Sequence, residues 1–214
     1  MKNITLTIDD QDVIVNEGTT VLEAALRHNI YIPHLCYHPA LEPRGACRLC
    51  IVELGDGQLV TSCRTPVELG MVVRTRSQKI DKAIRPVIEM LIADHHSACR
   101  GCVSSGQCEL QRIMAHLRID RRRIRRLRLP EEKLRWDTSN PFFDYDPNKC
   151  VLCGICVQTC EDALGVSTLH LMGRGYDTKI GFSGDKSKYE SWKECVERCP
   201  VGVLMPKSIP APEV

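Results

Sequence analysis

Aromatic residues are scarce in this chain, at 5% of its 214 residues. A core of ordinary composition draws much of its buried area from Phe, Tyr and Trp. A chain this poor in them divides into small domains, and small domains with thin cores depend on metals or cross-links for stability. Long apolar runs are missing too. No stretch approaches the roughly 20 residues that cross a bilayer, so no membrane insertion is expected. The opening segment, Met1 to Asp10, lacks the basic start and apolar stretch of a signal peptide, and a cytoplasmic location is expected. There is no G-x-G-x-x-G after a strand and no Walker A sequence. Nucleotide, flavin and substrate are therefore expected to bind elsewhere than on this chain.

What the chain does have is cysteine, thirteen in all. An odd number without a secretory signal argues against a disulfide framework and for metal ligation in a reducing compartment. The formal net charge of +2 counts every thiol as neutral. Ligands must ionise to bind metal, so the loaded protein is expected to be net negative. The apparent basicity is no signal for nucleic acid.

The hydrophobic pattern predicts an α+β chain. Ile4, Leu6 and Ile8 alternate with Thr5 and Thr7, Asp9-Asp10-Gln11 turns, and Val13-Ile14-Val15 returns, which reads as a hairpin. Thr20 and Glu23 form a capping box for a short helix to about His28. Ile51–Leu54 and Leu59-Val60 flank a Gly-Asp-Gly turn. This order predicts a β-grasp domain over 1–78. In 79–129, Ile80, Ile84, Val87, Ile88 and Leu91 recur at helical spacing, with Pro86 predicting a kink or early break. That helix would deliver His95 at its C-terminal end. Leu110, Ile113, Met114 and Leu117 mark another helix. A polar connector, 130–147, leads to a cysteine-rich module at 148–207, and 208–214 reads as a tail.

Three spaced ligand sets emerge. The first is C-x10-C-x2-C-x12-C on Cys36, Cys47, Cys50 and Cys63. Its C-x2-C core, with one cysteine before and one far after, matches the plant-type [2Fe–2S] spacing. Gly45 and Ala46 let backbone N–H groups approach the sulfurs. Four cysteines also suit tetrahedral zinc, and the β-grasp context favours iron–sulfur. The third set opens with C-x2-C-x2-C-x3-C from Cys150 to Cys160 and continues to Cys195 and Cys199-Pro200. In two-cluster bacterial ferredoxins the fourth cysteine of such a run binds the other cluster. The second motif ending at Cys199 would need cysteines at 189 and 192, where this chain has Tyr189 and Trp192. One cubane is therefore expected, on Cys150, Cys153, Cys156 and Cys199. Cys160 and Cys195 are left over, expected to be buried together without metal, with the two aromatic residues filling the vacated space.

Pro33-His34-Leu35-Cys36-Tyr37-His38-Pro39, leading to Gly45-Ala46-Cys47-Arg48-Leu49-Cys50, resembles the N-terminal region of the large iron–sulfur subunit of respiratory complex I. It equally resembles the small diaphorase subunit of NAD-reducing nickel–iron hydrogenases and the matching regions of NAD-linked formate dehydrogenases and iron-only hydrogenases. The resemblance runs to about residue 207. It implies that His95, Cys99, Cys102 and Cys108, spaced H-x3-C-x2-C-x5-C, hold a [4Fe–4S] cluster with one histidine ligand, spacing selecting His95 over His96. The alternative role for His95 is a helix-terminal charge. A neutral imidazole in place of a thiolate should raise the potential.

The expected cofactors are thus one [2Fe–2S] and two [4Fe–4S] clusters. The fold expected is a β-grasp [2Fe–2S] ferredoxin domain, a small helical His/Cys cluster domain and a ferredoxin-like [4Fe–4S] module. The expected function is single-electron relay in a cytoplasmic multi-subunit oxidoreductase. The partners would be a flavin/NAD(H)-binding subunit and a catalytic subunit, with no substrate site on this chain. The segment Asp137–Phe143 leans toward the hydrogenase and formate dehydrogenase relatives. Arg118 to Arg128 holds seven arginines. With little aromatic content nearby to stack bases, a docking surface for acidic partner subunits or for the negatively charged cluster region is the favoured reading over nucleic acid. The alternatives are a self-standing ferredoxin-like carrier and a zinc-stabilised nucleic-acid-binding protein.

Overall fold

A computed structural model describes residues 2–95, 99–128, 134–140, 142–163, 165, 168–182 and 189–207. The chain forms two compact units, one of Met1–Met90 with Arg112–Leu127, the other of Leu91–Gln111 with the chain from Arg128 onward.

The first unit begins with the expected hairpin, β1 (Asn3–Ile8) antiparallel to β2 (Gln11–Asn16). Its turn is tight, with Asp9 at φ 49 and Asp10 at φ 65. This left-handed pair matches the twist of the strands, and Asp is among the residues that tolerate it. The alternation holds: Ile4, Leu6, Ile8, Val13 and Val15 are buried while Ile14 faces outward. Helix α1 (Val21–Arg27) starts at Thr20. There the Glu23 N–H donates to Thr20 Oγ1 at 3.3 Å, and the Thr20 N–H donates to Glu23 Oε2 at 3.1 Å. Its buried face, Val21, Leu22, Ala24 and Ala25, packs in one core with the inward residues of the sheet.

The second hairpin is β3 (Ile51–Leu54) with β4 (Leu59–Thr61). The two hairpins are joined by β5 (Val72–Arg74), which runs parallel to β1 and antiparallel to β3, giving the order β2-β1-β5-β3-β4. A central parallel strand crossed by a helix is the β-grasp arrangement. The β5 strand is only three residues long and carries no alternation to read. It is tied down by Asp9, whose carboxylate accepts from the Thr75 N–H at 2.8 Å and from the Thr75 hydroxyl.

Helix α2 (Gln78–Asp94) runs on through Pro86, so of the kink or early break expected there the early break does not occur. Pro86 lies on the exposed face, where the carbonyl that loses its partner can bond to water. Ile80, Ile84 and Ile88 are buried on the other side. Helix α3 (Glu109–His116) follows as expected. The stretch just before the expected connector folds into a further helix, α4 (Arg121–Leu127). Arg123 Nε donates to the buried Glu89 at 2.7 Å.

In the second unit β6 (Phe143–Tyr145) pairs with β9 (Leu204–Pro206), so the end of the connector belongs to the cysteine-rich module. Helix α5 (Ile155–Gln158) continues into a π-helical turn, Thr159–Ala163. The hairpin of β7 (Leu169–Met172) and β8 (Lys179–Phe182) and helix α6 (Tyr189–Glu197) complete it. Phe143 and Tyr145 meet Phe182 edge-on at 5.4 and 5.5 Å between ring centres. Much of the scarce aromatic content is thus spent here. The tail 208–214 and the side chains of Tyr189 and Trp192, the two rings expected to fill the leftover space, lie outside the described residues.

Candidate iron–sulfur sites

In the first unit, Cys36, Cys47, Cys50 and Cys63 come together beside the sheet. Cys36, Cys50 and Cys63 are buried and Cys47 is half-buried. The loop that presents them turns on Gly45 at φ 64 and Arg48 at φ 56. A Cys47 N–H donates to the Cys36 sulfur at 3.3 Å. The Cys47 thiol and the Cys47 and Ala46 N–H groups lower Cys36 to about 6. The Cys63 thiol likewise lowers Cys50 to about 7, while Cys47 and Cys63 are raised by the sulfurs they donate to. Two sulfurs of the set are therefore held ready to ionise. Ser62 reinforces the last position by donating to the Cys50 carbonyl at 2.8 Å.

In the second unit, Cys99, Cys102 and Cys108 are near enough to act on one another: burial raises Cys108, and the other two sulfurs raise it further. Gly101, at φ 82, makes the turn between Cys99 and Cys102. His95 extends α2, its N–H donating to the Leu91 carbonyl at 3.1 Å. Burial lowers its imidazole, with the Lys149 backbone, acting through a hydrogen bond, opposing the shift. Arg128 Nη2 donates to the His95 carbonyl at 3.2 Å, which assigns one arginine of the run to holding this helix end. The partners that position His95 thus come from the 146–149 turn and Arg128. Residues 96–98, including His96, lie outside the described chain.

Cys150, Cys153, Cys156 and Cys199 line one cavity, walled by Tyr145, Ile180, Val203 and Leu204. Burial raises Cys150 and Cys156, and in Cys156 the neighbouring sulfurs add to it. The Val203 N–H donates to the Cys199 sulfur at 3.4 Å. Tyr145 is hydrogen-bonded to the Cys150 sulfur, and its hydroxyl accepts from the Ile180 N–H at 3.2 Å. Just before Cys150, the buried pair Lys149–Asp146 closes at 3.0 Å. Cys160 and Cys195 lie apart from this lining, both fully buried, as the spacing argument expected.

All four C-x2-C turns contain a left-handed residue: Arg48, Gly101, Leu152 at φ 50 and Gly154 at φ 76. Such a residue turns successive N–H groups to one side and makes a concavity for a negative group. Only Gly101 and Gly154 advertise this in sequence. Arg48 and Leu152 have side chains that disfavour the conformation by about 1–2 kcal/mol, and residue type gave no hint of them.

The second and third sets adjoin. The Glu109 N–H, next to Cys108, donates to the Pro200 carbonyl, next to Cys199, at 2.9 Å. Gly202, at φ 64, admits Ser104, which a Cβ there would strike. The donor sets fit iron–sulfur clusters: thiol groups in fours or threes, set in loops of inward N–H groups. Among the described residues no three His, Cys, Asp or Glu are arranged around a single ion position.

Comparison with known proteins agrees with this reading. Residues 1–78 match the 2Fe-2S iron-sulfur cluster binding domain. Residues 85–123 match the NADH-ubiquinone oxidoreductase-G iron-sulfur binding region, and residues 140–205 the ferredoxin-like domain of NADH-quinone oxidoreductase subunit 3. A chain in a crystal structure of an NAD+-reducing [NiFe]-hydrogenase in its H2-reduced state is 34% identical with a TM-score of 0.81, over 96% of this chain and 88% of that one. The alpha subunit of a NADPH-Fe(3+) oxidoreductase from Geobacter sulfurreducens is 34% identical over 95% of this chain and 24% of its own length. The mitochondrial 78 kDa subunit of NADH-ubiquinone oxidoreductase from Neurospora crassa is 34% identical over 95% and 28%. The chain thus spans about a quarter of the length of these curated relatives. It is an α+β iron–sulfur protein with [2Fe–2S] and [4Fe–4S] ferredoxin-like domains. It belongs to the iron–sulfur subunit family that includes the 78 kDa subunit of NADH-ubiquinone oxidoreductase and the matching chain of NAD-reducing hydrogenase.

Proposed function

We propose that this chain relays single electrons between a flavin/NAD(H)-binding subunit and a catalytic subunit of a cytoplasmic oxidoreductase. The observation that carries the proposal is the junction of the second and third sets, where residues next to Cys108 and Cys199 are hydrogen-bonded. Two sites so joined suit a path for electrons better than two isolated structural staples. In this reading 1–78 holds a [2Fe–2S] cluster on Cys36, Cys47, Cys50 and Cys63. The 79–129 segment holds a [4Fe–4S] cluster on His95, Cys99, Cys102 and Cys108, and 148–207 holds another on Cys150, Cys153, Cys156 and Cys199, with 130–147 connecting them. The clusters supply the one-electron chemistry. The chain supplies thiolates, N–H groups aimed at sulfur and apolar walls, which together set the potentials. The Lys149 backbone against His95 fits the usual support of a ligating imidazole, whose second ring nitrogen is held by a carbonyl. The exposed arginines of α4 offer acidic partners a docking face.

Iron and acid-labile sulfide analysis tests the reading. About ten iron atoms per chain with matching sulfide is the expected result, and zinc without sulfide overturns it. Replacing His95 by Cys should keep its cluster and lower the potential by on the order of 100 mV, since a charged ligand opposes the added electron. Replacing it by Ala should weaken or remove that cluster. An unchanged set of paramagnetic signals in the Ala variant would remove His95 from the ligands.

A further inference from the structure

Cys160 and Cys195 stand 35 residues apart in sequence, yet their sulfurs meet at 3.0 Å with both side chains fully buried. Neither is bonded to the other in this structure. Thr168 Oγ1 lies 3.5 Å from the Cys160 sulfur, and the Cys195 sulfur lies 3.6 Å from the Cys156 carbonyl oxygen. Both sulfurs are thus oriented by polar neighbours as well as packed. A disulfide needs its sulfurs at about 2.05 Å, so closing the bond takes about 1 Å of approach between two side chains already aimed at each other.

The position of the pair gives that bond a consequence. Cys160 sits in the π-helical turn that follows α5, the helix carrying Cys156. Cys195 sits in α6, one turn before Cys199. The pair therefore joins the segment that carries the three clustered cysteines of the third set to the segment that carries its distant fourth.

We infer that Cys160 and Cys195 are a reversible dithiol–disulfide pair that locks the two halves of the third site together. The oxidant is a low-molecular-weight disulfide. One cysteine sulfur attacks it and releases one small thiol. The second cysteine sulfur then attacks the mixed disulfide and releases the other. In sum, two protein S–H groups and one R–S–S–R become one protein S–S bond and two R–S–H. The protein loses two electrons and two protons, and the small disulfide gains both. Burial makes the exchange slow, because it proceeds through local opening around the turn. It also shields the pair from the wider thiol pool once the turn has closed. The proposal rests on the assignment of the neighbouring cysteines as ligands only for its consequence, not for the bond itself.

The test uses the full chain with its metal in place. Anaerobic protein is equilibrated in a series of reduced and oxidised dithiothreitol mixtures, acid-quenched, alkylated and digested. The expected result is one peptide linking Cys160 to Cys195, appearing along a two-electron titration curve and disappearing on return to reducing buffer. Iron content should be unchanged throughout. Oxidised protein should also release iron to a chelator several-fold more slowly than reduced protein, a difference absent from Cys160→Ser and from Cys195→Ser. Complete alkylation of both cysteines at the most oxidising mixture overturns the proposal. So does a link found only in chains that have lost iron. So does a loss of about four iron atoms, one cubane, from the Cys160→Ser, Cys195→Ser double variant, since the pair would then be ligands. Zinc in place of iron and sulfide would overturn the electron-relay reading while leaving the thiol result to stand or fall alone.

Discussion

Arg48 and Leu152 occupy C-x2-C turns in different units, both at positive φ, yet the sites around them are assembled in different ways. The first site is built on a finished frame. Its loop is hung from the β-grasp sheet, Cys63 follows β4, and two of its sulfurs are lowered toward neutrality by the thiols and N–H groups beside them. The third site has no such frame. Its fourth sulfur arrives from beyond the β7–β8 hairpin and α6, and burial raises Cys150 and Cys156. The difference teaches that a preformed loop can wait for its metal. A site whose walls are themselves the fold must gain its metal and its tertiary structure together.

The sharpest way to break that comparison is to delete one ligand on each side. Cys50→Ala should remove the two-iron paramagnetic signal and leave the four-iron signals and the folded sheet intact. Cys199→Ala should remove about four iron atoms and with them the protease resistance of 148–207. Loss of every cluster in the Cys50→Ala protein would mean that the sites do not load separately.

Next in size is the buried ion pair before Cys150. Asp146→Ala leaves Lys149 charged and buried without its partner, and about 3–5 kcal/mol of stability should be lost. Thr20→Ala in the capping box of α1 should lose only about 1 kcal/mol. Denaturant melts of the two variants, followed by signals from each unit, check both the sizes and the separation.

The pH dependence of loading sharpens the comparison further. A thiol raised by burial keeps its proton at neutral pH, so binding iron must expel it, and affinity falls as pH falls. A thiol lowered to about 6 or 7 has already released its proton at pH 8, as Cys36 and Cys50 have. Between pH 8 and pH 6 both sites should lose affinity, by up to about tenfold per pH unit for each proton expelled, and the loss at the first site should steepen below about pH 7 as Cys50 and then Cys36 regain their protons. Reconstitution at graded pH, with the two-iron and four-iron signals read separately, measures this. An unchanging slope at the first site would contradict the thiol assignments.

Smaller still is the effect of the hydroxyl on Cys150. Tyr145→Phe removes a hydrogen bond to a sulfur that becomes more negative on reduction. The potential of that cluster should fall by about 20–60 mV, the one-electron equivalent of a hydrogen bond of about 0.5–1.5 kcal/mol. The least effect is expected from relaxing the backbone. Arg48→Gly and Leu152→Gly should each stabilise the metal-free form by up to about 1 kcal/mol, the left-handed strain relieved less the extra freedom of glycine in the unfolded chain. A larger gain at Leu152 than at Arg48 would place more stored strain in the third site.

What the sequence by itself determined is local or chemical. The β1–β2 hairpin, the capping box at Thr20 and the buried face of α2 all rest on spacing over a few residues, where backbone geometry leaves little choice. The two leftover cysteines could be told from the third set because their motif partners are missing. Only the tertiary structure decided the rest. Three-residue β5 became the central strand because its neighbours on both sides supply its hydrogen bonds. Pro86 stayed inside a helix because its face is exposed, and α4 formed in the arginine-rich stretch with Ile124 buried. Arg48 and Leu152 were driven to positive φ although their side chains disfavour it. His95 came to rest against Lys149 and Glu109 against Pro200, each a meeting of residues far apart along the chain. Contacts of that kind leave no trace in local spacing, because their geometry is set only when the intervening elements have packed.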